Sequence, residues 1–159
     1  MPVPEFISAL RRHVGTELLW LSGVSAVVRD EQGRILLGRR ADTGRWAVPS
    51  GILEPGEQPA QAIVREVLEE TGIHAEVELL ASVFTGERVD YPNGDQAQYL
   101  DLTFRCRQVG GAAVVGDDES LEVGWFAADS LPEPLTESSR HRIDDALSYD
   151  PVAGPRFAR

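Results

Sequence analysis

Three glutamates stand where they can act together. Glu66, Glu69 and Glu70 lie in a stretch in which Ala60, Ile63, Val64, Val67, Leu68 and Thr71 recur at helical spacing and predict a buried face. At roughly 100° per residue the three carboxylates fall within about 100° of one another around the axis. They crowd one face, next to the buried stripe, and lie late in the helix, where the dipole disfavours anions. Like charges four residues apart are destabilising by themselves. A hard divalent cation would offset this. Mg²⁺ takes oxygen ligands in an octahedron, usually one or two carboxylates completed by phosphates and water. The loop before the helix, Ser50 to Pro59, holds Gly51, Pro55 and Gly56 and can bring backbone carbonyls to the same face. Arg65, one turn before Glu69, can orient the acids. On these residues alone, a metal site and a solvated acidic face both remain open.

Other residues with chemical potential are more scattered. Arg39 and Arg40 close a predicted strand and Arg45 follows shortly after. One of them can grip a phosphate with a bidentate contact, or all three can simply balance an acidic surface. Asp117-Asp118-Glu119-Ser120 forms an acidic loop before the strand carrying Trp125. Phe84, Tyr91 and Tyr99 can stack on a base or serve as core. The turn Tyr91-Pro92-Asn93-Gly94-Asp95 can touch a substrate, although its asparagine and glycine already account for a turn. His13, His74 and His141 show no metal-ligand spacing. Cys106, the only cysteine, reads as a small buried hydrophobe.

The elements that must position these residues follow from periodicity and punctuation. A short helix is predicted within residues 4–14, its stripe formed by Phe6, Ile7, Leu10 and Val14. Strands are predicted over Leu18 to Arg29 and Ile35 to Arg39, joined as a hairpin by a polar turn. Trp46-Ala47-Val48 reads as a short strand stopped by Pro49. The helix after Pro59 starts with proline in its first turn and stops at Gly72. Ala75 to Arg88, Gln98 to Val109 and Glu122 to Phe126 read as further strands, with a glycine-rich loop from Gly110 to Ser120. A closing helix spans Glu137 to Tyr149, and residues 151–159 read as a loose tail. The pattern predicts an α/β chain, a mixed sheet covered by helices on both faces. We expect one domain over residues 1–159 with a core at about 19–148.

Composition narrows the partners. The chain has 159 residues, 42% of them apolar, and a formal net charge of −11. So acidic a surface repels polyanions, which argues against duplex DNA or RNA. No stretch approaches the roughly 20 apolar residues that span a bilayer. Met1 to Leu10 lacks a basic region followed by an apolar one, so no secretory signal is expected. A cytoplasmic location is the expectation. A small phosphorylated ligand would need clustered arginines or bound cations to overcome the same repulsion.

Gly51, Glu57, Arg65, Glu66, Val67, Glu69, Glu70, Gly72 and Ile73 match, in type and spacing, every defining position of the Nudix box. The chain therefore resembles the Nudix hydrolases, MutT-like members included, over about Leu19 to Leu131. Ser50 stands where many members have a second glycine. The resemblance implies a mixed sheet between helices, with the box forming a loop-helix-loop. It implies a Mg²⁺ site, with Mn²⁺ as substitute, in which Glu66 and Glu70 are ligands, Glu69 is a further ligand or relay, and the Ser50 carbonyl completes the set. Glu57 and Arg65 are then an ion pair that holds the glutamates. The general base is Glu66 or an acid on a later loop, for which Glu119 is the candidate; Glu122 is assigned a structural role. Arg39, Arg40 and Arg45 are the candidate substrate contacts. The expected reaction is hydrolysis of a phosphoanhydride in a nucleoside diphosphate joined to another moiety, of ADP-ribose or nucleotide-sugar type. The alternatives are a nucleoside triphosphate cut to release pyrophosphate, and a non-catalytic nucleotide sensor. A homodimer is the expected assembly.

Overall fold

A computed structural model describes residues 3–116 and 118–157. Asp117 of the acidic loop and the last two residues of the predicted tail lie outside the described residues. The elements run α1 (Glu5–Val14), β1 (Leu18–Arg29), β2 (Ile35–Arg40), β3 (Trp46–Ala47), β4 (Ser50–Ile52), α2 (Pro59–Thr71), β5 (Ile73–Thr85), β6 (Val89–Asp90), β7 (Gln96–Gly111), β8 (Ser120–Phe126), α3 (Glu137–Leu147) and β9 (Arg156–Phe157). One mixed sheet follows the order β3-β2-β1-β7-β5-β9, with β4 on β1, β6 on β7 and β8 on β2. Strands β1 and β7 run parallel over twelve residue pairs from Leu18↔Gln96 to Arg29↔Arg107, while β5 returns antiparallel to β7.

The helices cover both faces because β1 alternates. Val24, Ala26 and Val28 pack with Ala62, Ile63 and Val67 of α2. Val27, between them in sequence, packs with Ile143 and Ala146 of α3. Leu21 meets Ile7 of α1 and Ala97 of β7. Successive strand residues face opposite ways, so α2 lies on one face of the sheet and α1 and α3 on the other. Ile63 and Val67 are wholly buried, and burial of each such side chain contributes roughly 1.5–3 kcal/mol. Cys106 is buried as expected, and burial pushes its thiol up to about 12.

Helix α2 opens on Pro59 without a side-chain cap and closes at Gly72, whose φ of 68° is left-handed and whose N–H donates to Leu68 O at 2.9 Å. It carries no acid in its first turn and no base in its last. Its charge pattern therefore opposes its own dipole.

Three expectations need correction. Ser50 to Pro59 is not wholly loop: Ser50–Ile52 pairs with Gly23–Ser25 of β1. The loop at Tyr91 is flanked by the two-residue β6, paired with Gln96 and Ala97. Nor is the described part of the tail loose, since Arg156 and Phe157 pair in parallel with Ser82 and Val83. In each case a strand offers unpaired donors and acceptors along a stretch that its main neighbours leave uncovered. Among the described residues no helix is long and apolar enough to cross a membrane.

Candidate active site

Residue Gly51 explains how loop and helix meet. A Cβ at this position would lie 2.2 Å from both Cδ and Oε1 of Glu66. Gly51 is not among the glycines with positive φ. The glycine is required by close approach, because β4 lies directly on the Glu66 carboxylate. Glu66 is wholly buried, and neither carboxylate oxygen has a hydrogen-bond partner among the described residues. Arg65 Nη1 comes within 3.0 Å of Glu66 Oε1, near enough for charge attraction but not aligned as a hydrogen bond. Burial pushes the Glu66 pKa up to about 7, against the pull of Arg65.

Arg65 ties the surrounding acids together. Its Nε and Nη2 donate to Glu57 Oε1 and Oε2 at 2.9 and 3.1 Å, a bidentate fork. Its Nη1 donates to Glu69 Oε2 at 3.2 Å. The guanidinium holds Glu57 below the usual carboxylate range, and the acids in turn raise Arg65. Glu69 is half exposed and Glu70 is partly buried one turn beyond Glu66. Ser50 precedes Gly51 in β4 and is registered against Ser25.

Among the described residues, no group of three or more Asp, Glu, His or Cys side chains converges into a cage for a metal ion. Mg²⁺ does not need one, since it is typically held by one or two carboxylates and keeps several waters. The fit rests instead on Glu66. A buried carboxylate without hydrogen bonds is costly; Arg65, shared with Glu57 and Glu69, offsets only part of that cost, and a divalent cation at Glu66 would offset more. The buried Glu66 carboxylate, set against the backbone of β4, fits one ligand to a divalent ion, and Glu70 follows it one turn later on the same helix.

The candidate arginines are placed unequally. Arg40 Nε and Nη2 grip Asp42 at 2.9 and 2.7 Å, and the charge of Glu70 also acts on Arg40. Arg39 donates to Gly44 O and Glu122 Oε1, each at 3.2 Å, which gives Glu122 an ion-pairing role. Arg45 is exposed and pairs with no acid among the described residues. The Glu119 carbonyl accepts from Ala41 N–H at 2.7 Å, beside Arg40. A shallow, mainly apolar concavity of about 510 Å³, lined by Ala60, Gln61, Val64, Leu68, Ala75 and Val77 together with Arg65 and Glu76, lies along α2 and includes neither Glu66 nor Glu70.

Sequence reasoning missed a second polar cluster, on the α3 face. Asp101 of β7 is buried and accepts from Ser25 Oγ at 2.8 Å, Thr103 Oγ1 at 2.9 Å and Arg142 Nε at 3.2 Å. Arg142, on α3, also lies 5.4 Å from the Phe84 ring centroid. Ser139 of α3 accepts from Val48 N–H at 3.1 Å, just ahead of β4. One signal was available: Asp101 is the only acid in the apolar-alternating run from Gln96 to Gly111.

Comparison with known proteins bears on this geometry. The family model described as NUDIX domain matches residues 20–146. A MutT-like protein of Streptomyces ambofaciens is 40% identical over 132 residues, covering 83% of this chain and 78% of that protein. An 8-oxo-dGDP phosphatase of Homo sapiens is 36% identical over 133 residues, 79% of this chain but only 38% of that protein. An ADP-ribose pyrophosphatase of Methanocaldococcus jannaschii is 33% identical over 107 residues, 65% of this chain and 60% of that protein. The chain thus spans well under half of the human relative. With a family model over most of its length and a relative 40% identical across four-fifths of it, the chain belongs to the NUDIX family, as a hydrolase of phosphoanhydride bonds in nucleotide-linked substrates.

Proposed function

We propose that the chain is a Mg²⁺-dependent hydrolase that cleaves the phosphoanhydride of a nucleoside diphosphate joined to a second moiety, of ADP-ribose or nucleotide-sugar type. The observation that carries the metal dependence is the Glu66 carboxylate, buried without a hydrogen bond against the backbone of β4. A divalent cation bound there supplies charge neutralisation at the phosphates and makes a water molecule a better nucleophile. Glu66 and Glu70 are the ligands in this reading, with Glu69 and the Ser50 carbonyl as further donors. Glu57 holds Arg65, and Arg65 holds the helix acids in register. Arg40 is the first phosphate contact, since the charge of Glu70 acts on it; Arg39 and Arg45 are secondary. Glu119 takes the proton from the attacking water, or Glu66 does so.

A second reading is favoured by the human relative, whose name gives 8-oxo-dGDP as its substrate. A nucleoside di- or triphosphate, oxidised or not, is then cut without a second moiety. The deciding experiment incubates purified protein and Mg²⁺ with ADP-ribose, nucleotide sugars, 8-oxo-dGDP and each (d)NTP, and identifies products. Release of AMP from ADP-ribose or of NMP from a nucleotide sugar supports the first reading. Turnover of the di- or triphosphates alone sinks it.

Assembly as a homodimer belongs to the same proposal. Helix α1 buries Ile7 on its own sheet, yet Leu10, Val14, Leu18 and Trp20 stay exposed. A monomer mass by light scattering at micromolar concentration would remove the dimer.

A further inference from the structure

Gly116 lies between β7 and β8, over the C-terminal end of α2. The last carbonyls of a helix lack partners within it. At α2 three of them are met from beyond the helix: Leu68 O by Gly72 N–H at 2.9 Å, Glu70 O by Gly116 N–H at 3.1 Å, and Thr71 O by Val114 N–H at 3.0 Å. A Cβ on Gly116 would stand 1.9 Å from the Glu69 carbonyl oxygen and 3.1 Å from the Glu70 carbonyl carbon. No side chain fits there, and the obstacle is backbone, which cannot swing aside. Positive φ is not the reason for the glycine, because Gly116 is not among the residues with that conformation. What requires it is contact: the bare backbone at 116 rests on the peptide units of Glu69 and Glu70.

We infer that Gly116 is a positioning residue, whose seat on the Glu69 and Glu70 peptides sets where the acids of the last turn of α2 stand and so how tightly the chain holds a divalent cation. The inference rests on the reading of that helix face as a cation site. Helix ends fray when their terminal groups are unmet. Here the last turn carries two of the three clustered carboxylates, so fraying would move candidate ligands. Two amides from one segment, Val114 and Gly116, fasten it. Supporting contacts of this kind, one step removed from the ion, typically govern metal affinity by about 10- to 100-fold.

The test compares Gly116→Ala with Gly110→Ala. The control sits at the edge of the same segment, where a Cβ would meet only His74 side-chain carbons, at 3.7 and 3.8 Å. Mn²⁺ binding is measured by calorimetry without substrate, and helicity by circular dichroism. Gly116→Ala should weaken Mn²⁺ binding by about 10-fold or more, with the Mg²⁺ concentration for half-maximal rate rising in step. Gly110→Ala should stay within about twofold of wild type. Wild-type Mn²⁺ affinity in a folded Gly116→Ala overturns the inference alone; a wild type that binds no Mn²⁺ overturns the site reading with it. If Gly116→Ala does not fold, hydrogen exchange on the wild type decides. The Val114 and Gly116 amides should be as protected as those in the last turn of α2, and exchange at the rate of a free loop overturns the inference.

Discussion

Glu66 shows why one residue can carry more meaning than its type. An exposed glutamate is ordinary, whereas a buried one with two unbonded oxygens is unfavourable unless something pairs with it. Arg65 supplies charge but is itself shared among Glu57, Glu66 and Glu69. In the proposed mechanism Glu66→Gln and Glu70→Gln each keep the side-chain shape and remove a charged ligand. Each should lower kcat by at least about 100-fold with an unchanged circular dichroism spectrum; near-normal rates in both variants would refute the assignment. Glu119→Gln separates the two candidate bases. If Glu119 takes the proton, the rate falls by on the order of 100-fold while Mn²⁺ affinity holds. If the rate is unchanged, the base belongs to α2. The assignment of these acids as ligands comes from the Nudix resemblance, but that Glu66, Glu69 and Glu70 share one face was legible from spacing, because helical geometry alone brings them together. The reason for Gly51 was not, since only the folded contact between β4 and Glu66 reveals that a methyl group would overlap a carboxylate.

The elements divide in the same way. Helix α2 could be read from Pro59, Gly72 and the apolar repeat, because its start, stop and buried face are local properties. Long strands such as β1 and β7 announce themselves by alternation. The three residues of β4, between two prolines, carry no period, and their strand character comes only from Gly23–Ser25 across the sheet. The anchoring of α3 was equally invisible. It depends on Asp101, Ser25 and Arg142, which lie far apart in sequence and share one buried network. Asp101→Ala would leave the largely buried Arg142 guanidinium and the Ser25 hydroxyl without their acceptor. Loss of one member of a buried pair typically costs about 3–5 kcal/mol. The urea midpoint should drop accordingly, with the denaturant slope unchanged. A midpoint equal to wild type would mean that the α3 anchor contributes nothing to stability.

For the whole molecule, the net charge of −11 creates two distinct ways for a cation to act. Diffuse screening relieves self-repulsion, and any salt can provide it. In the proposed reading, specific binding at Glu66 would relieve one buried carboxylate that no hydrogen bond satisfies and would require the folded contact between β4 and α2. The two are separable by thermal unfolding. A ligand at about 100 times its Kd that binds only the native state stabilises by about 2.7 kcal/mol. For a chain of this size that corresponds to roughly 5–10 °C in Tm. Mg²⁺ or Mn²⁺ at saturation should therefore raise Tm by that amount, and EDTA should reverse the rise. NaCl at matched ionic strength should give a much smaller shift. Glu66→Gln provides the internal control: its apo form, freed of a buried charge, should melt no lower than wild-type apo protein, yet it should lose most of the Mg²⁺-induced rise. An equal rise with NaCl, or an undiminished Mg²⁺ response in Glu66→Gln, would assign the effect to screening and leave the buried carboxylate without its proposed partner.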